Sequence, residues 1–219
     1  MKNSSIFLRT LIAVCLAMSY VPSPASAQEP PPPLLIVGDS VFNAFDYVPS
    51  AKQLLNRHQR TIFAVQGCQK LLEDGCMSFA KLSALEQLRK HAGRFTDVVV
   101  IGTGYNDRLG IPFREAVFAI TSEAATQGVD VVWVTYRERG NVRGKSKTMN
   151  IQLRKLAEKI PNLTIADWNS YSDDSVNKNK SWFREDNVHL ITLGALGLAR
   201  LINQTVDQVI AKRALAELG

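Results

Sequence analysis

Leu34-Leu35-Ile36-Val37-Gly38-Asp39-Ser40 is a run of four aliphatics closed by a glycine, an acid and a hydroxyl. A strand so evenly apolar has no solvent face and reads as one buried on both sides, as in a parallel sheet. Open parallel sheets hold their ligands beyond the carboxyl ends of the strands, where the connections diverge. Gly38 permits a tight turn there, and Ser40 then faces the crevice at the start of the next element. A serine in that place is either a helix N-cap or a nucleophile, and these seven residues leave both readings open.

Toward the N-terminus the pattern is of another kind. Lys2 and Arg9 precede an apolar stretch from Leu11 to Val21, and Ala25-Ser26-Ala27 forms an A-x-A cleavage site. Residues 1–27 therefore read as a Sec-type signal peptide and stand outside the fold. Their apolar core is too short to span a membrane. Cys15 lies deep in that core behind a valine, which disfavours a lipid anchor. Residues 28–33 hold four consecutive prolines, a stiff extended spacer. The expected product is periplasmic or secreted, with no stable membrane insertion after cleavage.

Removing 27 of 219 residues leaves 192, enough for one domain over 34–219 with a substantial core. Loss of Lys2 and Arg9 takes the formal charge from +6 to +4. The basic residues are dispersed, which does not suit a nucleic-acid interface. Two cysteines remain, Cys68 and Cys76, and an even pair in an oxidising compartment reads as a disulfide. This neighbourhood has too few ligands for a metal, no cofactor motif is present, and a monomer is expected.

Downstream, strand-like and helix-like segments alternate. Helical spacing covers 48–58 behind a Ser50 cap, 83–91 with Leu85 and Leu88 inward, 113–127 ending at Gly128, 146–160, and 192–218. Strands are expected at 61–65, 97–101, 129–134 and 163–166. The polar run 173–180 reads as an exposed loop. Such alternation predicts an α/β domain with a parallel sheet.

The polar residues of interest then fall at strand ends or before the last helix. Gly67 follows the second strand, Gly104-Tyr105-Asn106-Asp107 the third, and Asp186-Asn187-Val188-His189 precedes the final helix. His189 can serve as base to Ser40, with Asp186 orienting its ring. The Gly67 N–H and the Asn106 amide can serve an oxyanion. Asp39 reads as a brace bonding backbone N–H groups or as a catalytic acid, and Asp107 as a brace. His58 and His91 read as solvated. Arg137 and Arg139 either meet a charged substrate or sit in a solvated loop.

In this order, Ser40, Gly67, Asn106 and His189, with the G-x-N-D and D-x-x-H-L pieces, resemble the SGNH (GDSL-like) hydrolase superfamily. The segment from Asp167-Trp168-Asn169 through Trp182-Phe183-Arg184 is similar to bacterial exported SGNH domains. The resemblance spans Leu34 to about Ile202. It implies a three-layer α/β/α sandwich around a central five-stranded parallel sheet, flavodoxin-like in type. Gly-Asp-Ser is followed here by Val41 rather than leucine, a packing difference, and Cys68 beside Gly67 can fix the oxyanion loop. No G-x-S-x-G elbow surrounds the serine, which argues against the other common α/β esterase fold.

The chemistry so implied is acyl transfer. Ser40 attacks an ester carbonyl, His189 moves the proton, Asp186 holds the ring, and the oxyanion meets the Ser40 and Gly67 backbones and the Asn106 side chain. The expected substrate is acylated carbohydrate of the envelope, or another small ester, losing a small acyl group. Transfer of that group to a sugar hydroxyl is the alternative, and a non-catalytic envelope-binding domain a further one. On this reading the exported protein starts at Gln28 and carries no free thiol. N-terminal sequencing and thiol titration of denatured, unreduced protein check both; a retained Met1 or a titratable thiol contradicts them.

Overall fold

A computed structural model describes residues 33–58, 60–173 and 181–218. The signal peptide, the spacer before Pro33 and the loop beyond Asp173 lie outside the described residues. Five strands are present, β1 (Leu35–Gly38), β2 (Ile62–Val65), β3 (Val98–Gly102), β4 (Asp130–Val134) and β5 (Leu163–Ala166). All pair in parallel, in the order β2-β1-β3-β4-β5. The opening run thus lies inside the sheet, flanked by β2 and β3, and all four of its β1 residues are buried. Among the described residues the helices include α1 (Ala44–Tyr47), α2 (Pro49–Leu55), α3 (Ala84–Lys90), α4 (Ile111–Thr126), α5 (Arg143–Ala157), α6 (Trp168–Ser172) and α7 (Thr192–Glu217).

Strand alternation distributes the core to two sides. On one face Leu34, Ile36, Val98, Val100 and Val132 pack with Phe45, Leu55, Leu198, Ile202 and Val206, from the α1, α2 and α7 side. On the other, Leu35, Val37, Val99, Ile101 and Trp133 pack with Leu88, Phe113, Val117, Ile120, Met149 and Leu153, from α3, α4 and α5. The result is a three-layer sandwich whose central strands β1, β3 and β4 have little contact with water, while the edge strands β2 and β5 are partly exposed. No helix among the described residues is long and apolar enough to cross a membrane.

Boundaries follow local chemistry. Ser83 caps α3 in a reciprocal box with Glu86, whose carboxylate accepts the Ser83 N–H at 2.8 Å. Gly128 ends the α4 connection at φ 71°. Ser50 is not the cap of α2: Pro49 occupies the first turn, where its missing N–H costs nothing, and Val48 precedes it without a side-chain cap. α5 begins at Arg143 rather than Ser146, because its first turn is polar and lacks apolar periodicity. The short α1 and α6 carry too few residues to show a period.

The ends of β1 and β3 meet at a pair of glycines. Gly38 stands opposite Gly102 in register, and a Cβ on either would collide with the Phe42 side chain. Phe42, 2 % exposed, therefore lies across the carboxyl end of the sheet and meets Phe45 edge-to-face at 5.5 Å. It is two residues beyond Ser40, so its packing anchors the turn that carries the hydroxyl. Beyond β2, Cys68 and Cys76 are joined as a disulfide with their Cα atoms 5.4 Å apart. Phe42→Ala should lower the unfolding free energy by about 3–5 kcal/mol, as expected for a fully buried ring. Urea denaturation checks this, and a change within error would contradict the anchoring role.

Candidate active site

Ser40 lies in the turn between β1 and α1 and caps no helix; Asn43 precedes α1, without a side-chain cap bond. Its Oγ is 2.9 Å from His189 Nε2, across 149 residues of chain. The other ring nitrogen, Nδ1, is 2.6 Å from Asp186 Oδ2. A carboxylate accepting from Nδ1–H leaves Nε2 with a lone pair toward the serine. Hydroxyl, imidazole and carboxylate are thus in series.

The loop that presents the acid and base is tightly built. Phe183 bridges Leu190, Arg184 N–H donates to the His189 carbonyl at 2.8 Å, and Ile191 N–H to Trp182 at 2.9 Å. Trp182 stacks on Trp168 at 6.0 Å and seats against α7 at Gly194 and Gly197, where any Cβ would strike it. Asn187 turns the chain at φ 59°, a left-handed conformation that asparagine tolerates better than most residues. Asp186 Oδ1 accepts the N–H groups of Val188 and His189, each at 2.9 Å. Burial raises the Asp186 pKa, but the His189 ring and these two N–H groups outweigh it and hold the carboxyl below its ordinary value.

The loop after β3 forms the opposite wall. Asn106 donates from Nδ2 to the Gln69 carbonyl at 3.2 Å, which Thr103 also engages at 2.8 Å. The amide carries a second hydrogen, and Asn106 lines the cleft. Asp107 accepts the Leu71 N–H with both oxygens, at 3.0 and 3.2 Å, and burial pushes its pKa up to about 6. It is a brace between the β2 and β3 connections. Lys145, from α5, donates to the Tyr105 carbonyl at 2.8 Å. Asp39 is wholly buried and accepts the Val41 N–H at 3.1 Å. Burial drives its pKa to about 7 against the pull of N–H groups at Val41, Tyr105 and Gly104 and of His189.

A cleft of about 230 Å³ is bounded by Ser40, Val41, Tyr105, Asn106, Asn141, Val142, Asp186, Val188 and His189. Larger clefts, about 350 and 440 Å³, lie beside Asp107 and Arg108 and at the far end of the sheet near Pro33 and Arg94. Neither contains a hydroxyl in contact with an imidazole, so chemistry and not volume selects the smaller one. Gly67 is not among the residues lining it. It occupies the turn after β2, where a Cβ would stand 3.4 Å from the Asn43 amide and 3.8 Å from Phe79. The neighbouring Cys68 is at φ 67°.

Other residues depart from their sequence reading. Arg137 is neither solvated nor open to a substrate: it is wholly buried. Arg139 pairs with both oxygens of Asp173, at 2.7 and 2.8 Å. His91 is buried at the end of α3 with Arg94 Nη1 3.3 Å from its Nδ1, and burial lowers its pKa; the side chain of His58 lies outside the described residues. Asn141 and Val142 at the cleft, and Lys145 on the Tyr105 carbonyl, have no signal in the sequence, because the segment from Arg139 to Lys147 carries no motif and little apolar pattern.

No family profile matches the sequence, and no curated protein is recognisably similar to it. Solved structures are. A Slackia heliotrinireducens protein described as an SGNH hydrolase superposes with TM-score 0.62 at 16% identity, covering 80% of this chain and 99% of that one. The fold is that of the SGNH hydrolases. The esterase EstA from Pseudoalteromonas sp. shares this SGNH fold at TM-score 0.58 and 16% identity, over 81% of this chain and 98% of that one. Axe2, an acetyl xylan esterase from Geobacillus stearothermophilus, does so at TM-score 0.58 and 16% identity, over 80% and 94%. At such identities the likeness is one of fold.

The buried carboxyl beside the cleft has a measurable signature. Asp39 binds its proton far more tightly folded, at about 7, than an ordinary aspartate near 3.8. Its contribution to stability is thus complete below about pH 4 and is lost as pH rises through 7. Asp39→Asn should flatten the fall in the urea midpoint between about pH 4 and 7. An unchanged pH profile in that variant would contradict the assignment.

Proposed function

We propose that this chain is an exported serine esterase that removes small acyl groups, acetyl first among them, from envelope carbohydrate or related esters. One observation carries the reading: the Ser40 hydroxyl in contact with a His189 ring that Asp186 holds from behind, in a cleft shared with Asn106. A serine that merely satisfied itself would not need an imidazole already oriented by a carboxylate. The cleft, at about 230 Å³, suits a short acyl chain. The acetyl preference also draws on the likeness to a protein named as an acetyl xylan esterase, and export on the signal-peptide pattern of residues 1–27.

In the proposed reaction Ser40 Oγ attacks the ester carbonyl as its proton passes to His189 Nε2. Asp186 stabilises the imidazolium without taking the proton. The oxyanion meets the backbone N–H of Ser40 and the amide of Asn106; one such donor is worth about 3–4 kcal/mol of barrier. His189 then protonates the leaving alcohol, and water releases the acyl group by the same steps reversed. The N–H of Gly67, in the turn after β2, is the third donor assigned to the oxyanion.

Purified mature protein should turn over p-nitrophenyl acetate and release acetate from one of a panel of acetylated envelope polymers. Ser40→Ala and His189→Ala should each remove nearly all turnover, and the double variant should be little worse, since residues acting as a unit are non-additive. Asn106→Ala should lower kcat about 10²–10³-fold with KM little changed. Asp186→Asn should fall between these. Full activity in folded Ser40→Ala would sink the reading, and acyl groups recovered on a sugar hydroxyl in place of free acetate would identify a transferase.

A further inference from the structure

We infer that Arg137 is a positioning residue, which through a single peptide plane sets the Asp186–His189 pair and ties it to the loop of Asn106. The inference rests on the esterase reading above. Arg137 lies three residues past the end of β4, wholly buried, where a guanidinium is costly to keep. Burial draws its pKa down to about 10, so it is still a cation at neutral pH. The cation lies over the Phe183 ring, 3.6 Å from the centroid. Nη1 donates to Ser172 Oγ at 2.8 Å and to the Ser172 carbonyl at 3.3 Å.

The decisive contact is the one from Nε to the Asn187 carbonyl, at 2.7 Å. That carbonyl belongs to the same planar peptide as the Val188 N–H, and in a trans peptide the two point in opposite directions. The carbonyl is drawn to Arg137, and the N–H is thereby aimed at Asp186 Oδ1, 2.9 Å away. Polarising a peptide at its oxygen strengthens its N–H as a donor. Asp186 in turn holds His189 Nδ1 at 2.6 Å. The same plane fixes Asn187 in its left-handed turn at φ 59°, which an unsupported loop would relax.

The backbone of Arg137 reaches the other wall. Its N–H donates to the Tyr105 hydroxyl at 2.6 Å, and Tyr105 precedes Asn106. One residue thus spaces the base from the amide across the cleft. An apolar side chain of similar volume would fill the space at lower desolvation cost but would leave the Asn187 carbonyl unpaired.

Arg137→Lys tests this, because an ammonium is a point donor that cannot serve Asn187 and Ser172 together. With mature protein and p-nitrophenyl acetate, kcat per phosphonate-titrated site should fall about 10–100-fold, the cost of a small misplacement of reacting groups, with KM little changed. In the phosphonate adduct, the downfield proton resonance of the Asp186–His189 hydrogen bond should weaken or shift. If kcat and that resonance match the unaltered protein, whatever happens to Tm, Arg137 is only packing and the inference fails. Should Arg137→Lys not fold, Arg137→Met fills the space without a donor for the Asn187 carbonyl and takes the same readouts, with the same result overturning the inference. Absence of any adduct or turnover in the unaltered protein overturns the esterase reading itself; normal kcat and resonance in the variants overturn this inference alone.

Discussion

The close approach of β1 to β3 at their carboxyl ends is the constraint on which the rest of the molecule depends. Gly38 and Gly102 face each other there, and their missing side chains leave the space that Phe42 fills. The chain can then turn sharply out of the sheet with Ser40 at its apex and a buried ring holding it down. A larger residue at either glycine would expel Phe42 and with it the direction of the hydroxyl. Burial of apolar area, which is non-directional, becomes directional here because only one side chain fits one gap.

Around that apex the loops are held by polar groups taken out of water. Asp39, Asp107 and Arg137 are all buried wholly or largely and bond backbone atoms of neighbouring loops. Each costs desolvation, visible in the raised carboxyl pKa values and the lowered guanidinium one. A loop held by such groups has few alternative positions, because moving it leaves a buried charge or dipole without a partner. The left-handed turns at Cys68 and Asn187 persist in the same way, one beside a disulfide and one beneath a guanidinium. The walls of the cleft are therefore held by the protein's own buried bonds.

Much of the fold was legible because parallel strands buried on both faces must be almost uniformly apolar, and Leu35–Gly38, Val98–Gly102 and residues 131–134 show this within a handful of residues. The capping box at Ser83 and the glycine stop after α4 are likewise local chemistry. Ser50 misled because a preferred capping residue sat one place beyond a proline that opens the helix just as well. Ser40, Asn106, Asp186 and His189 could be singled out because each sits at the end of a strand or before a helix, where a parallel sheet collects its polar groups. The role of Arg137 could not: an arginine after a strand reads as solvated or as a contact for a charged substrate, and neither reading foresees its burial.

Sequence by itself thus determined the alternation of strand and helix, the parallel sheet it calls for, and which end of that sheet gathers hydroxyl, amide, acid and imidazole. These follow from the periodicity of side chains along a few residues, a property the chain carries before it folds. The tertiary structure alone decided that His189 meets Ser40 across 149 residues and that Arg137 bonds a carbonyl 50 residues away. Those contacts depend on distances between elements, set by packing of the whole core, and no spacing within a segment encodes them.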